Sequence, residues 1–456
     1  MKQTKQIKNS NLLISLKTYV LAQNICFNIK MNMGDDFKMN RKIRVLICSI
    51  LSTIIISSVF VGCGKSSSSA NGNTSPIVFW NVFTGADGQN MTKLVAQYNA
   101  TNPKIKIKNV PMEQNDLYAK LPSVVLSGKA VPDLTIVHAE RIPLFVEDKM
   151  LMPLDKYITA NGNIKEENYV SEGWKVGGIG GNRYSVPLDV HSYVSYYNKD
   201  LMAKYGPHVL DDGVITMDEV REVGLASKKD KITGMSIGWM RPEFLALYEQ
   251  LGGELSADGT APTFSNEKGE KVLNDFKTMV KDGIASQDGD DPGQLFKSGK
   301  LVIWPEGIWM ANSVSAIKTL NWGMTHFITY DANKKVNWSS SHQFTMFKNS
   351  KMNDARATEI MKFIAWIGDN SIEWARSGQV PASLKILKSE EFQKMPQAFL
   401  LKEKGTQKIF NYKYYGYATE ALDKIVTETV FDKMDVKKGL DQAVKETQDR
   451  IKASKK

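Results

Sequence analysis

Between residues 77 and 137 the chain alternates two hydrophobic periods, and that alternation restricts the fold more than any other feature. Pro76-Ile77-Val78-Phe79-Trp80 is a short, apolar, β-prone run ending in a loop rich in turn formers, residues 81–88. Met91, Leu94, Val95 and Tyr98 then recur at helical spacing until Asn102-Pro103 stops them. Ile105 and Ile107 alternate with lysines, as in a half-exposed strand. Residues 117–126 return to a helical pattern that Gly128 closes, and residues 133–137 form the next apolar run. Strand, helix, strand, helix, strand implies the α/β class, a mostly parallel sheet covered by helices. In such sheets ligands bind beyond the carboxyl ends of the strands. Trp80 and Asp87 on one loop, and His138, Glu140 and Arg141 on another, are therefore expected at one edge.

A second unit starts near Tyr184. A strand carries Tyr193, Tyr196 and Tyr197, Gly252-Gly253 breaks the chain, residues 268–282 read as a helix, and Leu301-Val302-Ile303-Trp304 leads into Pro305-Glu306-Gly307. Residues 322–329 read as another strand. After Asn353 the chain is largely helical, with many Lys/Glu faces. Gly177, Gly178, Gly180 and Gly181 lack the spacing of a dinucleotide fingerprint and read as a turn between strands.

Ahead of this body lies an export leader. Arg41, Lys42 and Arg44 precede an apolar stretch, residues 45–61, and then Phe60-Val61-Gly62-Cys63. A basic start, an apolar middle and a small residue before the cleavage point describe a secretory signal. The cysteine after the small residue resembles a lipobox, with Phe60 standing where Leu is usual. Residues 39–62 are thus expected to be a lipoprotein signal peptide, Cys63 the lipidated residue, and 63–75 a Ser/Asn/Gly-rich tether. Residues 1–38 are expected to be a non-native or unstructured prefix, with translation starting at Met39.

The net charge of +10 belongs mostly to that leader: residues 1–63 hold nine Lys/Arg against two Asp, +7, which leaves +3 for the rest. This mixed surface argues against a nucleic-acid footprint. The three cysteines, Cys26, Cys48 and Cys63, all lie in the first 63 residues, so the body has neither disulfides nor thiolate metal sites. No H-E-x-x-H, G-x-S-x-G or phosphate loop is present, and Asp288, Asp290 and Asp291 lack the alternation of a calcium loop. No cofactor or metal is expected. Of the five histidines, His208 reads as surface, whereas His138, His191, His326 and His342 fall in or after strands. Four of the nine tryptophans, Trp80, Trp239, Trp304 and Trp309, sit beside Gly, Pro or acidic residues at element ends. Flat aromatic faces with acids nearby suit the C–H faces and hydroxyls of a pyranose.

These residues occur in an order that resembles the extracellular sugar-binding proteins of ABC transporters, over most of residues 76–385. The matching stretches are Phe79-Trp80 with Gly85-Ala86-Asp87-Gly88; Pro132-Asp133-Leu134 with His138, Glu140 and Arg141; Pro187-Leu188-Asp189-Val190-His191 leading to Tyr197-Asn198-Lys199-Asp200-Leu201; Gly252-Gly253; Phe296-Lys297-Ser298-Gly299-Lys300 with Glu306-Gly307-Ile308-Trp309; and Gly378-Gln379-Val380-Pro381. His191, and Arg241 with Glu243, depart from the residues that the maltose-binding branch carries.

The resemblance implies a two-lobe periplasmic-binding-protein-like fold of type II with a multi-strand hinge. The expected lobes are 76–188 plus 325–365 and 189–324 plus 366–456. It implies a monomeric, non-enzymatic protein, lipid-anchored on the outer face of the cytoplasmic membrane. Such a protein closes on a carbohydrate and presents it to permease subunits. The ligand residues it implies are Trp80, Asp87, His138, Glu140, Arg141, Asp189, His191, Trp239, Glu306 and Trp309. His191 is expected to give affinity a pH dependence between about 5 and 7.5 if it lines the cleft. The same fold binding a non-sugar solute, or serving a sugar-sensing system, are the alternatives. Catalysis by Asp189 and Glu306 is disfavoured by their motif context.

Overall fold

The computed structural model describes residues 75–160, 163–402, 406–410 and 412–454. The prefix, the signal and Cys63 lie outside them. Walking along the chain, β1 (Ile77–Asn81), β2 (Ile107–Pro111) and β3 (Leu134–His138) alternate with helices Ala86–Ala100 and Gln114–Ser127. A small hairpin follows, β4 (Gly178–Ile179) and β5 (Asn182–Arg183), turned by Gly180 and Gly181 at φ 59° and 80°. After β6 (Ser185–Pro187) the chain crosses to a second sheet for β7 (His191–Asn198), β8 (Thr233–Met235), β9 (Leu301–Gly307), β10 (Trp322–Thr325) and β11 (Asn337–Ser340). It returns for β12 (His342–Thr345), and β13 (Gln407–Ile409) pairs late with β11.

The first sheet has the order β2-β1-β3-β12-β6, with β1 parallel to β2 and β3 and with β12 antiparallel to its neighbours. Period-two alternation sorts its side chains. Ile77 and Phe79 face a core with Met91, Leu94 and Phe363, while Trp80 faces another with Leu117, Leu121 and Val137. Gly128 closes the helix Gln114–Ser127 at φ 64°, a left-handed conformation that glycine adopts without strain. The second sheet, β13-β11-β7-β9-β8 with β10 also on β7, is likewise covered on both faces. Tyr193 enters one core with Phe244 and Phe276, and Val194 and Tyr196 enter the other with Phe296 and Trp304. Burial on both sides explains why β7 carries large apolar or aromatic residues on both faces, Tyr193 and Tyr197 on one and Val194 and Tyr196 on the other, with only small or hydrogen-bonded polar residues between them.

Residues 325–340, expected in the first lobe, pair instead with the second sheet through β10 and β11. The helix Asp354–Asn370 and Trp374 pack in the first lobe's core, beyond the expected boundary at 365. Both departures have one cause: which sheet edge a strand joins and which core a helix covers are set by the tertiary arrangement, which no local pattern reports.

Three segments run side by side at the crossing. Leu188 N–H donates to His342 O at 2.8 Å, Val190 N–H to Val380 O at 2.9 Å and Ala382 N–H to Leu188 O at 2.9 Å. The hinge is therefore three adjacent crossing segments held by backbone hydrogen bonds and one isolated bridge, Asp189 to Pro381, joining β6 to β7, β11 to β12, and the helix Ile372–Ala375 to the segment after it.

Candidate ligand-binding site at the lobe crossing

Asp189 sits on the first crossing segment with no exposed surface. Its Oδ1 accepts the backbone N–H of His342 at 3.0 Å and meets His191 Nδ1 at 3.1 Å. Its Oδ2 accepts the Trp374 indole N–H at 2.8 Å and meets His342 Nδ1 at 2.7 Å. Burial acts to raise this carboxyl, but the contacts with His342 and His191 outweigh it and hold Asp189 well below the usual carboxylate range. One ionised side chain thus fixes two imidazoles and one indole at the point where the lobes meet.

His138 ends β3 and faces His342 as its cross-strand partner on β12, and His191 opens β7 opposite Ser340 of β11. The three rings form a close group: His191 and His342 have centroids 4.2 Å apart, His138 and His342 4.8 Å, and His138 and His191 5.9 Å. The Tyr118 hydroxyl oxygen accepts the backbone N–H of His138 at 2.9 Å and lies 2.6 Å from its Nδ1. Burial brings His138 down to about 3 and, followed by the charge of His342, lowers His191 as well. Both imidazoles are held neutral at pH 7. The shift moves any protonation change of His191 downward from the ordinary histidine value, toward the acid side of the window read from the sequence.

The second lobe supplies an aromatic wall. Trp309 meets His191 edge-on at 5.7 Å, Trp239 lies 6.3 Å from Trp309 and 5.9 Å from Trp338, and Tyr193 touches all three. The rings are locked from behind. Trp239 Nε1–H and Arg241 Nε–H donate to Asp423 Oδ1 at 3.0 and 2.8 Å, the Arg241 guanidinium lies over Trp239 at 4.5 Å, and Trp338 Nε1–H donates to the Tyr415 hydroxyl at 3.0 Å. The first lobe faces this wall with Phe83, whose ring lies 4.8 Å from that of His342, and with Asp87, Glu140 and Arg141. The Ser340 hydroxyl donates to Glu140 Oε2 at 2.8 Å. Burial acts to raise Glu140, and His138, Arg241 and Ser340 together outweigh it and bring the carboxyl down to about 2. Arg141 stacks on Tyr118 at 4.6 Å and pairs with Glu420 of the helix Tyr415–Val430 at 2.8 Å, so the lobes touch across the site. Arg141 Nε, Arg241 Nη1 and Glu243 Oε1 are buried without a partner among the described residues. Burial pushes Glu243 well above the carboxylate range and Glu306 up to about 7. Aromatic faces, unpaired donors and acceptors, and carboxyls of both protonation states suit an uncharged, hydroxyl-rich molecule.

The profile of the bacterial extracellular solute-binding protein family matches residues 93–400, more than half of the chain. The chain belongs to that family. Among curated relatives, this solute-binding protein is 24% identical over 255 residues to the arabinooligosaccharide-binding protein of Bacillus subtilis, covering 52% of this chain and 55% of that one. It is 23% identical over 290 residues to the maltodextrin-binding protein of the same organism, covering 59% and 65%. The chain thus spans little more than half the length of the first of these relatives. Among solved structures, the cyclic α-maltosyl-1,6-maltose binding protein of Arthrobacter globiformis superposes with a TM-score of 0.67 at 19% identity, covering 83% of this chain and 99% of that one. Maltose-bound MalE3 of T. maritima gives 0.70 at 16% identity, covering 83% and 100%. These likenesses establish the two-lobe fold.

Within this solute-binding protein, the structure brings His138, Glu140, Arg141, Asp189, His191, Trp239 and Trp309 into one interlobe region, with Asp87 close enough to His342 and Asp189 to feel their charge. Glu306 lies one layer behind, against Tyr193. Trp80 is placed elsewhere: it is 7% exposed in the first lobe's core, with Lys120 above its ring. Trp304 packs against Tyr196 and Phe296. The set named from sequence lacks His342, Phe83 and Tyr118 of this region, and Trp338 and Trp374, which are buried behind it and hold it in place. His342 carried a signal, a histidine opening a strand, but its partner Asp189 is 153 positions away. Trp338 and Trp374 carried none that separates them from core tryptophans.

Proposed function

We propose that this protein is the substrate-binding lipoprotein of an ABC transporter, capturing a neutral oligosaccharide between its lobes and delivering it to membrane permease subunits. The observation that carries the reading is the pair of partly buried rings Trp239 and Trp309 of one lobe, backed by buried Trp338, set against Asp87, Glu140 and Arg141 of the other. Stacking faces and hydrogen-bonding groups on opposite lobes make a bound sugar favour the closed form, which is the requirement for ligand-driven closure. The names of the relatives, which describe binders of arabino-oligosaccharides and maltodextrins, support the ligand class. The leader supports the location: Cys63 is acylated, 63–75 tethers the body, and the protein works as a monomer on the outer face of the membrane. A thermal-shift screen of pentose and glucose oligosaccharides tests the reading, because a ligand bound only by the folded state raises the melting temperature by mass action. A shift with at least one oligosaccharide is expected. No shift with any neutral sugar, alongside a shift with a charged solute, would refute it.

A further inference from the structure

The three histidines at the crossing have a property that sugar binding does not require. One ring nitrogen of each lies within 4.8 Å of those of the other two, and the three come from two lobes. Their Nδ1 atoms are already engaged: those of His191 and His342 meet the two oxygens of Asp189, and that of His138 meets the Tyr118 hydroxyl. The Tyr118 oxygen has two lone pairs, so it can accept both the backbone and the Nδ1 N–H of His138. In that tautomer every ring keeps its free lone pair on Nε2. Imidazoles whose far nitrogen donates to a carboxylate or another fixed acceptor are the arrangement that protein metal sites use to orient their ligands.

We propose that His138, His191 and His342 bind one divalent transition-metal ion through Nε2, with Asp189 and Tyr118 as the groups that orient them. Zinc fits the set: three neutral imidazoles are a known zinc complement, and they leave a fourth position open to water or a ligand hydroxyl. Zinc–nitrogen bonds of about 2.0–2.1 Å put tetrahedral ligand atoms about 3.4 Å apart, against the 4.8 Å within which one ring nitrogen of each histidine now lies, so binding requires the rings to draw inward and turn Nε2 to the ion. The charge balance agrees. Asp87, Glu140 and Asp189 lie around the cluster, and the two arginines whose charge also reaches it, Arg141 and Arg241, are each paired with a carboxylate, Glu420 and Asp423. Because His138 and His342 belong to the first sheet and His191 to the second, the ion ties the lobes together. Metal and solute would then each raise the other's affinity, as linkage through a shared closed state demands. The metal site does not depend on the solute being a sugar.

The test is isothermal titration of the purified, chelator-stripped protein with Zn(II), with Co(II) as a spectroscopic probe and Ca(II) as a hard-cation control. One Zn(II) per chain is expected, with an intense tetrahedral Co(II) spectrum and no Ca(II) binding. His342→Ala should abolish the spectrum. Asp189→Asn should weaken Zn(II) about 10–100-fold, and His208→Ala, an exposed histidine, should change nothing. Circular dichroism accompanies each variant. Absence of Zn(II) and Co(II) binding by the folded wild-type protein overturns the proposal whatever the variants do, and so does binding that survives in folded His342→Ala. If sugar binding persists in that case, the oligosaccharide reading stands alone.

Discussion

Replacing Asp189 by Asn tests whether the crossing is held by one carboxylate. The change keeps size and shape while removing charge and half of the accepting capacity. Asp189 meets four donors at 2.7–3.1 Å: the backbone N–H and Nδ1 of His342, Nδ1 of His191, and Nε1 of Trp374. An amide oxygen can keep two of them, and its NH2 then faces the other two. His342 can relieve its share by moving its proton to Nε2, but the Trp374 indole can only donate. At least one buried donor is left unsatisfied at about 1–3 kcal/mol, and the surviving bonds lose their charge assistance. The loss should be about 2–4 kcal/mol. Urea unfolding at pH 7 with a chelator present, which excludes metal linkage, reads it as a lower midpoint at unchanged slope. Trp374→Phe removes the stranded indole N–H, so the double variant should lose about 1–2 kcal/mol less than the sum of the singles. A loss below about 0.5 kcal/mol for Asp189→Asn, or strict additivity with Trp374→Phe, would refute the account of Asp189 as the tie.

Trp309→Ala should weaken oligosaccharide binding by about 1–3 kcal/mol in a variant that circular dichroism shows to be folded, because it removes a stacking face at the cleft; quenching of intrinsic tryptophan fluorescence on titration reads the affinity. Glu306 has a folded pKa of about 7, raised chiefly by burial, against about 4.3 unfolded. The folded state thus binds its proton more tightly. The stabilisation is complete below about pH 4.3 and is lost as pH rises through about 7. Glu306→Gln should therefore be more stable than wild type at pH 8 by about 1–3 kcal/mol, with the difference shrinking toward pH 5, as urea melts at both pH values can show. Cys63→Ser should leave the precursor uncleaved or release the protein from the membrane; normal mature mass with unchanged membrane fractionation would exclude lipid anchoring.

The sequence by itself determined the elements and the kind of surface they make. The apolar, β-prone run of residues 76–80 and the helical recurrence of Met91, Leu94, Val95 and Tyr98 are local signals, so a linear reading recovers the strand and the helix. Motif order also delivered Glu140, Arg141, Asp189, His191 and Trp309 as members of one region. Only the tertiary structure decided which residues share that region across long separations. Asp189 meets Trp374 from 185 positions away, Ser340 meets Glu140 from 200, and His342 joins His138 through strand pairing. It also decided that β10 and β11 belong to the second sheet and that Trp80 is core. A side chain's face follows from its neighbours in sequence, whereas its partners follow from which strands lie together. Strand order is settled by the burial of whole faces, which no single segment encodes.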